Sequence, residues 1–489
     1  MLFNSLHFVV FFIIVTAIYF IIPHRYRWFL LLVSSCYFYM IFVPIYILIL
    51  AFTIIIDYYA GIFIENNTGK IKKLSLVISI VANVGILAFF KYFNFLNENL
   101  TEFLNIFNTP NPVPYLSIIL PVGLSFHTFK AMSYTIEVYR GTQKAEHHLG
   151  IYALYEMFYP LLIAGPIERP QNLLHQFHEK HLFEYKNATE GLKLMLWGFF
   201  MKIVIADRLA IYVDAIYNNP EYHTGLSILV ATLFFAFQIY CDFAGYSLIA
   251  IGASRVMGFK IMNNFNLPYF SKTISEFWSR WHISLSTWLR DYIFFPSITT
   301  LSEKIKGNKK NNKKRSMWIY SFSIFITFFI SGVWHGANWT FIMLGIIHGF
   351  YLIFAVITKR IRIKIEQFTG INSIPFLKNL IQILVTFVLV NFAFIFFRAR
   401  NVEEAFFIIK KISTFSGPIF YEDVSMLILS IFGIVFLLIT EIKSEYYHGS
   451  ISFFKNKNWL VRSFSYATLL ILIILIGVFD GGQFIYFQF

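Results

Sequence analysis

The chain has 489 residues, of which 57% are hydrophobic and only 13% charged, with a net charge of +14. A soluble domain carries about 25% charged residues, and a disordered chain combines low hydrophobicity with high charge, so both classes are excluded. The basic residues lie in short clusters between apolar runs rather than on one exposed domain. That excludes a nucleic-acid binder and matches the positive-inside pattern of a polytopic membrane protein.

In chain order the apolar segments fall at 6–22, 28–43, 45–64, 74–93, 116–136, 151–165, 192–216, 226–251, 317–335, 339–357, 376–397, 424–440 and 464–479. At about 20 residues per span, the apolar content fills on the order of ten to twelve helices. The segments 151–165 and 424–440 are short for a full crossing and are expected to be re-entrant or tilted. Segment 6–22 has no basic leader and no small-residue cleavage site, and reads as a retained span. The two cysteines, Cys36 and Cys241, each sit in an apolar segment and make no disulfide framework or CxxC site. With no internal repeat and no long linker, one membrane-embedded domain is expected over 1–489: N-terminal helices in 1–150, a catalytic core in 151–360 and C-terminal helices in 361–489.

Basic clusters set the topology. His24–Arg27, Lys70–Lys73, the run Lys304–Arg315, Lys359–Lys364 and Lys455–Arg462 are separated by even numbers of crossings, so all can face the cytoplasm. Both termini are then extracytoplasmic. The polar stretch 95–115, with Pro110, Pro112 and Pro114, is too short for an exported catalytic domain. Any chemistry must come from the membrane-embedded part and its loops.

Ionisable groups in apolar segments are costly and are functional candidates by default. In Ser275–Tyr292, helical spacing puts Trp278, Trp281, Leu285 and Trp288 on one face and Ser275, Ser279, His282 and Ser286 on the next, with Glu276 and Arg280 placed to pair. This is either an interfacial amphipathic helix or one lining a hydrated cavity; its mixed charges and small hydroxyls favour the second. In Ser331–Trp339, His335 lies between Trp334 and Gly336, with Asn338 three residues on. A desolvated neutral histidine there suits a general base for a hydroxyl, while the plainer reading is a buried imidazole bonded to a carbonyl. Asp242, in mid-span, needs a cation such as Arg255 or Arg280, or a histidine, and reads as an ion-pairing residue. The segment Ala164–Pro170 reads as a loop turning out of the membrane. His175, His178 and His181 do not match the HExxH spacing, and no metal site is expected. The run Lys304–Arg315 is a topology signal with attraction for anionic lipid headgroups or a phosphorylated donor.

The strings QIYCDFAGYSLIAIGASRVMGF (238–259), NNFNLPYFSKTISEFWSRWHISLSTWLRDYIFFP (263–296) and SGVWHGANW (331–339) closely resemble the membrane-bound O-acyltransferase family. They look most like its bacterial branch of alginate and peptidoglycan O-acetyltransferases. LPVGLSFHTFKAMSYTIEVYRG (120–141), FYPLLIAGPIERP (158–170) and FIYFQF (484–489) extend the likeness, in which His127 is a variation.

The resemblance implies an all-α ring of about 11–13 transmembrane or re-entrant helices around a central funnel. It makes His335 and His282 the catalytic histidines; Asn338, Trp334, Asp242, Arg280, Glu276 and Asp291 are the supporting or donor-positioning candidates from the reading of the residues themselves. It implies no permanently bound cofactor, and acetyl-CoA as the cytoplasmic donor. The expected product is an O-acetylated extracytoplasmic polysaccharide, alginate-like in the first instance. Peptidoglycan, teichoic acid or a lipid are the alternative acceptors. The implied partners are an extracytoplasmic SGNH-type esterase-like protein, the envelope polysaccharide machinery and membrane lipid, in a bacterial inner membrane. The reading from a different class is a transporter using buried His, Asp and Arg as an ion path. Transporters often carry repeated halves with broken helices, and this chain has no such repeat.

Overall fold

The structure, a computed structural model, describes residues 1–118, 120–305, 312–447, 456, 458–479 and 484–485. Among them no strand occurs. Where lipid offers backbone groups no hydrogen-bond partner, helices satisfy them internally. Among the described residues, eight helical segments are long and apolar enough to cross a membrane, and Leu6–Ile21 is a shorter apolar one. The chain divides into two units.

The first unit contains Met1–Phe199 and Gly245–Met262. Its helices are α1 (Leu6–Ile21), α2 (His24–Met40), α3 (Ile47–Asn66), α4 (Gly69–Leu87), α5 (Phe93–Ile106), α6 (Leu124–Arg140), α7 (Leu149–Met157), α8 (Tyr159–Leu162), α9 (Pro170–Leu173) and α10 (Tyr185–Phe199). A π turn at Ala88–Tyr92 joins α4 to α5, so the helix runs on to Ile106, into the stretch read as an external polar loop. The segment expected from residue 116 becomes helical only at Leu124, because Pro121 and the left-handed Gly123 (φ 77°) precede it. A Cβ on Gly123 would fall 2.4 Å from the Leu162 carbonyl oxygen. Segment 151–165 breaks between α7 and α8 at Phe158, two residues before Pro160.

Several loops of this unit meet at one end. His24 Nε2 lies 3.2 Å from the His178 carbonyl oxygen, and Arg27 donates to that of His181 at 2.5 Å. His147 pairs with Glu65 at 2.9 Å and His178 with Glu146 at 2.8 Å. The start of α2, the loop after α3 and the segments around His147 and His178 thus meet through these contacts.

The second unit contains Phe200–Ala244 and Asn263–Gly482. It begins with a π turn at Phe200–Ala206, so the apolar segment 192–216 is interrupted rather than one regular helix. Then follow α11 (Asp207–Tyr217) and α12 (Gly225–Val256), whose last turns belong to the first unit. There Gly191 and Gly198 of α10 meet the carbonyls of Gly252 and Gly245, where a Cβ would fall 2.5 and 2.6 Å from oxygen. Next come α13 (Ile274–Arg280), α14 (Ile283–Leu289), a π turn at Arg290–Phe294 and α15 (Phe295–Lys304). The unit ends with α16 (Asn312–His335), α17 (Trp339–Ile357), α18 (Lys359–Phe368), α19 (Pro375–Arg398), α20 (Val402–Thr414), α21 (Val424–Tyr446) and α22 (Trp459–Ile476). The apolar window of α12 is 72% buried and that of α22 only 11%, so α12 is largely buried and α22 largely exposed. Of the basic run Lys304–Arg315, residues 306–311 lie outside the described residues, as do Lys455 and 486–489.

Candidate active site

The continuous helix expected over Ser275–Tyr292 is broken. α13 stops at Arg280 and α14 starts at Ile283, with His282 between them in the left-handed region (φ 43°, ψ 53°). A non-glycine residue there costs energy and is held in place by its surroundings. The break resets the side-chain directions, so the tryptophans do not share a face. Trp278 donates its indole N–H to His348 Nδ1 at 3.2 Å, Trp281 enters a ring cluster with Phe265, Tyr269 and Phe394, and Trp288 packs on Tyr292.

His282 is fully buried. Its Nδ1 lies 3.1 Å from Asn264 Oδ1, and Phe243 of α12 meets its ring edge-on at 4.6 Å. Burial, with the neighbouring His335 as a smaller cause, holds its pKa well below the usual histidine value. His335 ends α16, 5% exposed. Trp334 joins the two: its ring centroid is 5.8 Å from that of His282 and 5.2 Å from that of His335, which also meets Phe397 at 5.5 Å. Residues 53 positions apart in sequence are thus gathered around one indole.

The glycines beside His335 serve close packing. A Cβ on Gly336 would strike the Phe341 ring at 2.3 Å, and one on Gly332 would fall 2.4 Å from the Phe341 carbonyl oxygen. The element that approaches so closely is α17, through the backbone and ring of Phe341. His335 and His348 lie on different helices, because Gly336–Asn338 separates α16 from α17.

The supporting candidates are dispersed. Asn338 caps α17 by accepting from Thr340 N–H at 2.9 Å and donates to the Arg400 carbonyl at 2.8 Å. Glu276 pairs with Arg280 at 2.8 Å as the spacing predicts, and Arg280 also forks onto Glu445 of α21 at 2.9 and 3.0 Å. Asp291 lies in a π turn and pairs with Arg290 at 2.9 Å. Asp242 does not use Arg255, which bonds Glu190, or Arg280. Its cation is Lys202 at 2.7 Å, which also holds Asp207 at 2.7 Å, all three side chains being buried. Lys202 and Asp207 are five residues apart, a spacing that faces only in a π turn, which is why helical reasoning passed over them.

The first unit hides a second polar network that the sequence reading missed. His127 Nε2 lies 2.7 Å from Thr53 Oγ1, and its Nδ1 3.2 Å from Glu156 Oε2. Asp57 accepts from Ser79 at 2.6 Å and from Asn83 at 2.8 Å. The usable signal was the position of Asp57 and His127 within apolar segments. Beyond α8, the Ala164–Pro170 segment folds back into the protein: Glu168 is buried, accepts from the Met262 N–H, and has its carboxyl pKa raised by burial. Arg169 donates to Ser133 at 3.2 Å. Among the described residues no three or more His, Cys, Asp or Glu side chains are grouped to hold a metal.

A model of the membrane-bound O-acyltransferase family matches residues 143–398, a range that contains Lys202, Asp242, Asn264, His282, Trp334 and His335. The chain is 36% identical over 392 residues to a probable alginate O-acetylase AlgI of Pseudomonas aeruginosa, covering 80% of this chain and 70% of that one. It is 30% identical over 418 residues to a peptidoglycan O-acetyltransferase of Helicobacter pylori, covering 79% and 74%. To a teichoic acid D-alanyltransferase of Streptococcus thermophilus it is 30% identical over 299 residues, covering 58% and 69%.

Proposed function

This chain belongs to the membrane-bound O-acyltransferase family, and on that premise we propose that it is a multi-pass membrane O-acetyltransferase acting on an envelope polysaccharide. The donor is a cytoplasmic thioester, acetyl-CoA in the simplest case. The acetyl group is delivered to an extracytoplasmic acceptor, alginate-like before peptidoglycan, directly or through an exported SGNH-type partner. The bacterial inner membrane is its place, with basic loops inside and both termini outside. The observation that carries this reading is the pair of buried histidines, His282 and His335, set around Trp334.

His335 removes the proton of the acceptor hydroxyl, whose oxygen adds to the thioester carbonyl. The tetrahedral intermediate collapses, the C–S bond breaks, and the thiolate leaves with that proton. Products are a thiol and an oxygen ester, with no net proton gained or lost. His282 positions the donor. Exclusion of water around the indole limits hydrolysis of the thioester. Lys202, Asp242, Arg280 and Glu276 shape the helices around the site rather than meeting the reacting atoms.

The test uses purified protein in vesicles loaded with polysaccharide and supplied with radiolabelled acetyl-CoA. His335→Ala is expected to insert normally and lose about 10²–10⁴-fold in acetyl transfer. Undiminished transfer by that variant would remove the mechanism. Peptidoglycan fragments replacing alginate as the better acceptor would redirect the substrate assignment, and uptake of substrate without donor would favour a transporter.

A further inference from the structure

Asn264 lies outside every regular helix, in the loop that follows α12, and is 1% exposed. Its side-chain oxygen gathers a converging set of donors. Ser284 N–H reaches Oδ1 at 3.2 Å and the Ser284 hydroxyl at 2.9 Å, while His282 Nδ1 stands at 3.1 Å. The Asn264 carbonyl accepts from Ile283 N–H at 2.9 Å, so the loop is stitched to both sides of the left-handed residue. Asn266 N–H adds a bond to the Arg280 carbonyl, also at 2.9 Å.

These contacts settle which atom is which. A backbone N–H can only donate, so the amide atom facing Ser284 N must be oxygen, and the flipped amide would set donor against donor. An amide oxygen has lone pairs and no proton, so the hydrogen bond to His282 needs a proton on Nδ1. The weaker contact of Nδ1 with Ser284 Oγ, at 3.5 Å, fits the same assignment, because that hydroxyl already spends its proton on Asn264. In a neutral imidazole the lone pair then resides on Nε2.

We propose that Asn264 is a positioning residue for acyl transfer, locking His282 in the Nδ1–H tautomer so that its Nε2 keeps a lone pair and serves as a hydrogen-bond acceptor. This rests on the reading of His282 as a site residue. It uses the logic of an orienting group behind a catalytic imidazole, here with a neutral amide in place of a carboxylate. A neutral partner does not draw a second proton onto the ring, so His282 remains uncharged in a buried setting. The titratable group acting on it among the described residues is His335 from α16; Phe243 from α12 and Trp334 from α16 supply uncharged walls.

The direct test is the ¹⁵N spectrum of histidine-labelled protein in bilayers, with the His282 signals assigned by their loss in His282→Gln. The Nδ1–H tautomer is expected, and an Nε2–H tautomer would overturn the proposal. The kinetic test compares pH profiles. Asn264→Asp keeps the acceptor geometry but adds a negative charge beside the ring, so its kcat/KM profile should gain an acid limb at higher pH than the parent's. Asn264→Leu should lose about 10²-fold or more in kcat. A folded Asn264→Asp protein with the parental profile, in a background where His282→Ala is inactive, would refute the positioning role. Full activity of His282→Ala would instead remove the underlying reading, with the tautomer spectrum still deciding what Asn264 does to the ring.

Discussion

Lys202 Nζ lies 2.7 Å from Asp207 Oδ1, five positions along the chain, because the backbone between them is a π turn. An α helix would have pointed the two side chains apart. The same ammonium reaches Asp242 of α12 at 2.7 Å, so one cation ties two helical segments through two carboxylates.

Lys202→Met is therefore expected to strand two buried carboxylates. Removing one partner of a buried ion pair costs about 3–5 kcal/mol. Thermal unfolding in detergent should show a large fall in Tm, and the triple variant Lys202→Met, Asp207→Asn, Asp242→Asn should recover most of it. An unchanged Tm for the single variant would show that the carboxylates are not charged together.

The His282 pKa, depressed by burial, gives a signed pH dependence. Its folded-state pKa is below the ordinary value of about 6.5, so between those two values the unfolded chain binds the extra proton. The stabilising contribution is complete above about 6.5 and is lost as pH falls toward the folded-state pKa. Melting curves in that window should be less steep in pH for His282→Gln than for the parent protein. Equal slopes would mean that the imidazole is as easily protonated when folded.

Gly345 on α17 faces α16 so closely that a Cβ would lie 2.2 Å from the Phe328 carbonyl oxygen. Gly345→Val should force the two helices apart, lose about 1–3 kcal/mol from overpacking and shift the α16 terminus that carries His335. The expected readout is reduced activity per folded molecule together with a lower Tm. Gly85→Ala in α4, where a Cβ meets nothing within 4 Å, is the control and should leave activity unchanged and the Tm equal or slightly higher.

In the first unit, His127→Leu leaves Glu156 and Thr53 without their shared imidazole, and a loss of about 3–5 kcal/mol is expected if the carboxylate stays charged. The double variant His127→Leu, Glu156→Leu should recover most of that stability. Turnover per folded molecule should be unchanged in both, and a selective loss of kcat with intact stability would give this network a role in the reaction.

Much of this protein is legible in its amino-acid sequence. Its charge-poor apolar runs marked the spans, and the strings around His282 and His335 carried the family, because each depends on residues close in sequence. The i,i+4 pair Glu276–Arg280 was legible for the same reason. The faces assigned to Ser275–Tyr292 were not, since a left-handed residue in mid-segment leaves the apolar periodicity intact while redirecting every side chain after it. The Asp242 counter-ion was equally hidden: Arg255 and Arg280 were nearer in sequence, but Lys202 was nearer in space.

Composition, 57% hydrophobic and 13% charged, determined by itself that this membrane O-acyltransferase is a multi-pass helical chain. A lipid solvent leaves a charge-poor backbone few other ways to satisfy its polar groups. Tertiary structure alone decided what each buried charge and imidazole faces. Those pairings join residues tens to hundreds of positions apart, through helix breaks, π turns and close glycine contacts that hydrophobic periodicity does not encode. The charged residues therefore divide in space: Arg25, Arg27 and Lys359 lie in the first turns of helices, while Lys202, Asp207 and Asp242 are buried together in ion pairs.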